Sequence, residues 1–325
     1  MFRQMKRLAA IILLLFAVGT AHAQTKFPAE TRNAALRYWL AFADLQDPPA
    51  DKATAELLER TAAGEAAWDE AKLGPILDKN ETAILKMQRA TKLPECDWGL
   101  EYSLGPRASI AYVPKARVLA RLNTLYGMRL AAKGDTQKAM ESWLAGIRFS
   151  QHLASGGSLI FALIGKMGMM SNFRALTQAA LSGALSGEQK KQIEAAVRAL
   201  PETGFDWGQA FWYEQDPLNV AVKQVAEATN PSAYYQELTG KPAPENFTVP
   251  NASEIAAFHR LMASVEEALR LPPDAASPRL KTLQDSVKTL HPFYQELIPS
   301  FKRVNDSRVE LQTAKAELLK ALVSK

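Results

Sequence analysis

Along most of this chain apolar residues recur every three or four positions, the spacing that gathers them on one side of an α-helix. From Val113 to Leu200 the pattern predicts successive amphipathic helices: KARVLARLNTLYGMRLAAKG, DTQKAMESWLAGIRFSQHL, SLIFALIGKMGMMSNFRALTQAAL and SGEQKKQIEAAVRAL. Leu119, Leu122, Tyr126 and Leu130 form a stripe on the first, and Ala139, Trp143, Gly146 and Ile147 form one on the second. Between them Gly134 supplies the left-handed closing residue, and the Asp135 side chain accepts the free amide hydrogens of the next helix. Small residues at Gly127, Ala139 and Gly146 let two antiparallel helices approach closely, with Trp143 filling the groove.

The flanking segments follow the same period. Before the central tract the pattern predicts a helix opening near Pro28, with Leu36, Trp39, Leu40 and Ala43 on one face. A second runs from Ala53 to Trp68 and buries Leu57 and Leu58; Gly74-Pro75 breaks the chain, and Asn80-Glu81 starts a third through Ile84, Leu85 and Met87. PECDWGLEYSLGP, from Pro94 to Pro106, reads as irregular. Ser158 to Met170 is apolar all round except Lys166, as expected of a helix buried on every side. Ser186 with Gln189 and Asn251 with Glu254 have the capping-box spacing. A helix is expected over Asp206 to Ala228, a loop over 241–251 (KPAPENFTVPN), and a helix opening at Ser277-Pro278 and reaching Leu290. His291-Pro292 then turns the chain into a long last helix carrying Val304, Leu311, Ala314, Leu318 and Leu322. Sustained alternation and Asn-Gly turns are both missing, so the expected class is all-α, with the 241–251 loop as a possible sub-boundary.

The helix pair at 117–152 resembles a tetratricopeptide-repeat hairpin, in which small residues and a large aromatic alternate across a pair of ~34 residues. Gly127, Gly134, Asp135, Ala139, Trp143 and Gly146 carry the likeness, which covers about one unit. It implies stacked helical hairpins, in an α-solenoid or an irregular array, closed by the long C-terminal helix. With its CDWGLEYSLG segment, its ARLNTLYGMRLAAKGD hairpin and its Pro-led last helix, the chain also resembles a group of exported bacterial proteins. That second resemblance implies export and no particular activity.

The N-terminus changes how the charge is read. Arg3, Lys6 and Arg7 precede the apolar run LAAIILLLFAVG, and Ala21-His22-Ala23 offers small residues for cleavage after Ala23. A run of about a dozen residues falls short of the ~20 a spanning helix needs. Residues 1–23 therefore read as an export signal, residues 24–325 as one helical domain, and the destination as the periplasm or the exterior. The full chain has 39 Lys+Arg against 34 Asp+Glu, and losing the three basic residues of the signal leaves 36 against 34. That balance gives no electrostatic case for nucleic acid or for an anionic membrane. Cys96 is the only cysteine, so no disulfide forms within the chain.

Candidate chemistry is sparse. H-E-x-x-H, G-x-S-x-G, S-x-x-K, glycine-rich phosphate loops and C-x-x-C are all missing, so no cofactor or metal is expected. His152, His259 and His291 lie far apart, and His152 reads as a cationic ring complementing the end of its helix. Met167, Met169 and Met170 suit copper(I) chemically but read as core filler. The densest polar-aromatic cluster is Cys96, Asp97, Trp98, Glu101 and Tyr102; it reads either as a binding lip or as a loop pinned by Trp98. The expected function is a scaffold or binding module for a protein or peptide partner. Its contact residues would be the exposed Trp98, Glu101, Tyr102, Arg129, Arg148 and Gln151. The alternative is a hydrolase using paired carboxylates such as Glu101, Glu141 and Glu214.

Overall fold

The computed structural model describes residues 30–324 apart from Ser109; the export signal expected over residues 1–23 lies outside the described residues. Residues 1–32 form one unit and Asn33–Lys325 the other, the helical body considered from here on. It is all-α: among the described residues the sole β-type pairing is an isolated bridge between Asn33 and Glu95.

The first helix, α1 (Ala34–Asp44), opens where the Asn33 side chain accepts from Ala35 N. Its buried face is Ala34, Ala35, Tyr38, Ala41 and Phe42, whereas Leu36, Trp39 and Leu40 are 43–55% exposed. The expected stripe does share a face, but it is the outward one. α1 is apolar on two sides, and the side with smaller residues is the one that lies against α3. Helix α2 (Lys52–Ala62) stops well short of Trp68; Leu58 is buried and Leu57 only partly so.

Gly74-Pro75 does not break the chain. Helix α3 runs unbroken from Glu70 to Ala90, capped by Asp69, with Pro75 inside it. Proline there is the sixth helical residue, so its missing N–H forfeits one backbone bond near the start of the helix. Leu73, Ile76 and Leu77 bury themselves around it and offset that loss. The same correction applies at Pro278: α12 begins not at Ser277 but at Pro273 and runs to Val287, again with the internal proline sixth.

The central tract forms as expected. Helices α4 (Tyr112–Ala132) and α5 (Thr136–Ala154) meet at Gly134, whose φ is +82°, and the Asp135 side chain accepts from Lys138 N at 3.1 Å. Trp143 is 3% exposed and donates from Nε1 to the Thr124 carbonyl at 3.1 Å. It lies directly over Gly127, where a Cβ would come within 2.3 Å of Nε1. Helix α6 (Leu159–Leu181) then packs on α5, α4 and the last helix, α14 (Phe301–Val323). It is not buried on every side: Ile160 and Met167 are exposed, while Gly165, Gly168 and Asn172 face the helices it touches. By length and composition it is apolar enough to cross a membrane, and half of its most apolar window is buried inside the protein.

After α7 (Gly187–Arg198), with its Ser186/Gln189 capping box, the expected 206–228 helix is two: α8 (Trp207–Trp212) and α9 (Gln215–Glu227). Next come α10 (Pro231–Thr239), the 241–251 loop, and α11 (Ala252–Arg270) with the Asn251/Glu254 capping box. A short α13 (Pro292–Leu297) separates α12 from α14. The buried side chains fall into two clusters. One is built on α1–α4 with Phe149, Leu153 and Phe161, and the other on α5–α14. Both draw on α5 and α6, which join them.

The Gly127–Trp143 contact makes a direct prediction. Gly127→Ala should destabilise the protein by about 1–3 kcal/mol through overpacking, read as a lower urea midpoint at unchanged slope. An unchanged midpoint would mean that α4 and α5 are not this close.

Candidate functional site

The site begins with Trp98. Its indole is stacked between Tyr38 (5.5 Å between ring centroids) and Tyr112 (4.4 Å), and Tyr112 stacks in turn on Phe161 (5.5 Å). Nε1 donates to the His152 carbonyl at 2.8 Å, fastening the 94–106 segment to the end of α5. Upstream, Asn33 holds the same segment through bonds to the Asp97 carbonyl and amide at 2.8 and 2.9 Å. Trp98 is 6% exposed. It is therefore the pin of the loop rather than an exposed contact, and its place among the candidate contacts is corrected.

His152 is also corrected. It is buried, and Tyr38 Oη lies 2.6 Å from its Nδ1. Burial, with the Arg148 charge adding to it, pushes its pKa down to about 4, so at neutral pH the ring is uncharged rather than a cation on the helix dipole. Burial raises the Tyr38 pKa strongly, so the phenol keeps its proton, and His152 Nδ1 is its acceptor. The ring proton then sits on Nε2, a buried atom with no hydrogen-bond partner among the described residues. Sequence reasoning missed this pair, although one signal was present: His152 stands three residues after Phe149 and next to Leu153, apolar neighbours that are both buried.

His152 lines a cleft of about 420 Å³ where the two hydrophobic clusters abut. One wall is the end of α5 with Pro94 and Cys96, and the other is Pro201 to Tyr213. Arg148 and Gln151 stand at the α5 wall and bond each other, Nη1 to Oε1, at 3.3 Å. Gln209, Tyr213 and Asp206 face them, and Asp206 is the sole carboxylate of the lining. Cys96 also contributes, but burial and the nearby Asp97 push its thiol up to about 12, so it is protonated at neutral pH and is no nucleophile.

Two of the six candidate contacts, Arg148 and Gln151, are thus brought together here. Tyr102 lies outside the lining but close by: it donates to the Gly156 carbonyl at 3.2 Å and stacks on Tyr213. Glu101 is exposed and lines none of the cleft. Arg129 is elsewhere and corrected too. Its side chain, 13% exposed, bonds Glu70 and Asp78 at 2.6 Å each and ties α4 to α3. Glu101 and Glu141 are exposed, while Glu214 accepts from Leu159 N at 2.6 Å at the start of α6; none of the three lines the cleft. Met169 is in the core and Met167 on the surface, so the methionines share no face. No group of three or more His, Cys, Asp or Glu placed to hold a metal is found among the described residues.

Fold and site together define an all-α protein with a polar cleft beside His152, where two hydrophobic clusters abut. No protein-family model, curated protein or solved structure matches the chain.

The neutral His152 gives the site a pH signature. An unfolded chain takes up this proton near pH 6.5 and the folded chain near pH 4, so the unfolded state binds more protons between those values. The contribution is fully present above pH 6.5 and is lost as the pH falls to about 4, by about 3 kcal/mol. Urea unfolding of the wild type and of His152→Gln should therefore show a stability difference that shrinks by about that amount between pH 7 and pH 4. Parallel pH dependences would mean that the ring is not held neutral.

Proposed function

We propose that this is an exported binding module of the cell envelope that takes a peptide or a segment of a partner protein into the cleft beside His152. One observation carries the reading: the cleft is rich in donors. Arg148, Gln151, Gln209 and Tyr213 line it, and Asp206 alone supplies a carboxylate. A hydrogen bond to a charged donor contributes about 1.5–3 kcal/mol, so a ligand bringing carbonyl or carboxylate oxygens to Arg148 is favoured there. The backbone and C-terminal carboxylate of a peptide are such a ligand.

The α4–α5 hairpin supports the same reading. Its small-on-large contact, Gly127 under Trp143, is the packing that tetratricopeptide units use, and stacked hairpins present concave faces to extended peptides. The wider arrangement is proposed as an array of this kind, delivered across the inner membrane by residues 1–23. A paired-carboxylate hydrolase draws no support from this cleft, which contains one acid, and a thiolate mechanism draws none from a protonated Cys96.

The test is selection from a displayed library of random heptapeptides with free C-termini, followed by titration of the selected sequences. Arg148→Ala should weaken them tenfold or more, as expected for losing a charged hydrogen bond, and Gln151→Ala by less. Lys288→Ala, on an exposed stretch after α12, should leave them unchanged. Selected peptides that ignore Arg148→Ala would end this reading.

A further inference from the structure

A second cleft, of about 260 Å³, opens between α2, α4, α6 and α14. Helices α4 and α6 run side by side in the same direction. Gly168 lies against Ala120, and one turn on in both helices Thr124 Oγ1 donates to Asn172 Oδ1 at 3.3 Å. In that register Arg117 and Arg121, on consecutive turns of α4, stand opposite Lys166, Met170 and Arg174, on consecutive turns of α6. All five residues line the cleft.

The charges there are not balanced from within. Lys166 is used: it bonds Glu310 at 2.5 Å and reaches Ser307 Oγ at 3.4 Å. Arg117, Arg121 and Arg174 hold no ion pair and no side-chain hydrogen bond among the described residues. The lining has only two carboxylates, Glu310, which is taken, and Glu59. Arg121 is half-buried, and burial disfavours its cationic form; the Glu59 carboxylate offsets part of that, and the Arg117 charge adds to it. Guanidinium groups gathered at such spacing, one half-buried and two exposed, outnumber the carboxylates around them and are stabilised by a ligand that supplies several oxygens at once.

We propose that this cleft is an anion site that takes a phosphate group, with Arg117, Arg121 and Arg174 as its donors. Planar guanidinium forks match phosphate oxygens in pairs, which a lysine-lined site would not do. The cleft is larger than a bare phosphate needs, and Ile164, Met167 and Met170 give it an apolar flank. The phosphate therefore carries an organic group, either as a free phosphate ester or as the headgroup of a lipid. The site is independent of the cleft beside His152.

Glycerol phosphate, titrated calorimetrically into the mature protein at low chloride, tests the free ester. Vesicles of phosphatidylglycerol in phosphatidylcholine, against phosphatidylcholine alone, test the headgroup. Arg121→Met should weaken binding tenfold or more, and Arg174→Met, an exposed position that cannot disturb the core, fivefold or more. Glu59→Gln should tighten it, Lys288→Met should leave it unchanged, and added salt should weaken it throughout. Binding of glycerol phosphate that follows this order assigns a free ester, and binding of phosphatidylglycerol vesicles alone, in the same order, assigns a headgroup. The proposal is overturned if neither probe binds, or if Arg121→Met and Arg174→Met both bind like the wild type.

Discussion

The end of α5 is held by one indole. Trp98 lies between the rings of Tyr38 and Tyr112 and donates to the His152 carbonyl, so a single side chain joins α1, the 94–106 segment, α4 and α5. An indole suits this role because its faces are apolar while its one N–H needs an acceptor when buried. With that acceptor fixed, the last turn of α5 is fixed, and so is the face on which Arg148, Gln151 and His152 stand. The Tyr38–His152 bond forms in the same place, where burial keeps the ring neutral. Without the stack, the wall of the cleft would have no reason to take this shape.

The second constraint is the close approach of α4, α5 and α6. Gly127 admits Trp143, Gly146 admits Asn123 and Asn172, and Gly168 admits Ser150, each at a distance where a Cβ would collide. The polar groups so enclosed satisfy each other: Asn123 donates to the Ser142 carbonyl at 2.9 Å, and Asn172 to the Gly168 carbonyl at 2.7 Å. Such a three-helix contact leaves little freedom in how the two hydrophobic clusters meet. The clefts are consequences. One lies where the clusters abut beside His152, and the other where α4 and α6 turn their charged edges outward in register.

Local signals read well from the chain. Gly134-Asp135, the two capping boxes, the Trp143 groove and the buried stripe of α14 all rest on contacts within a few residues or on one helical period. The misses have a different character. The breaks expected at Pro75 and Ser277-Pro278 were charged with a cost that is real but small so near a helix start, where packing by Leu73, Ile76 and Leu77 outweighs it. For α1 the period was right and the face wrong, because both faces are apolar and only the neighbour α3 chooses between them. Trp98 and Arg129 have the composition of contact residues, and whether such side chains meet a partner or another helix is decided by residues 50 or more positions away.

The chain by itself determined that the protein is helical, roughly where its helices begin and end, and that its first residues have the make-up of an export signal. Periodicity and end-capping are short-range, so they are written in consecutive residues. Only the tertiary structure decided which apolar face goes inward, that His152 is neutral and bonded to Tyr38, and which arginines remain without a carboxylate. Each of those depends on burial and on the charge and hydrogen-bonding groups of elements remote in sequence, and no local pattern encodes them.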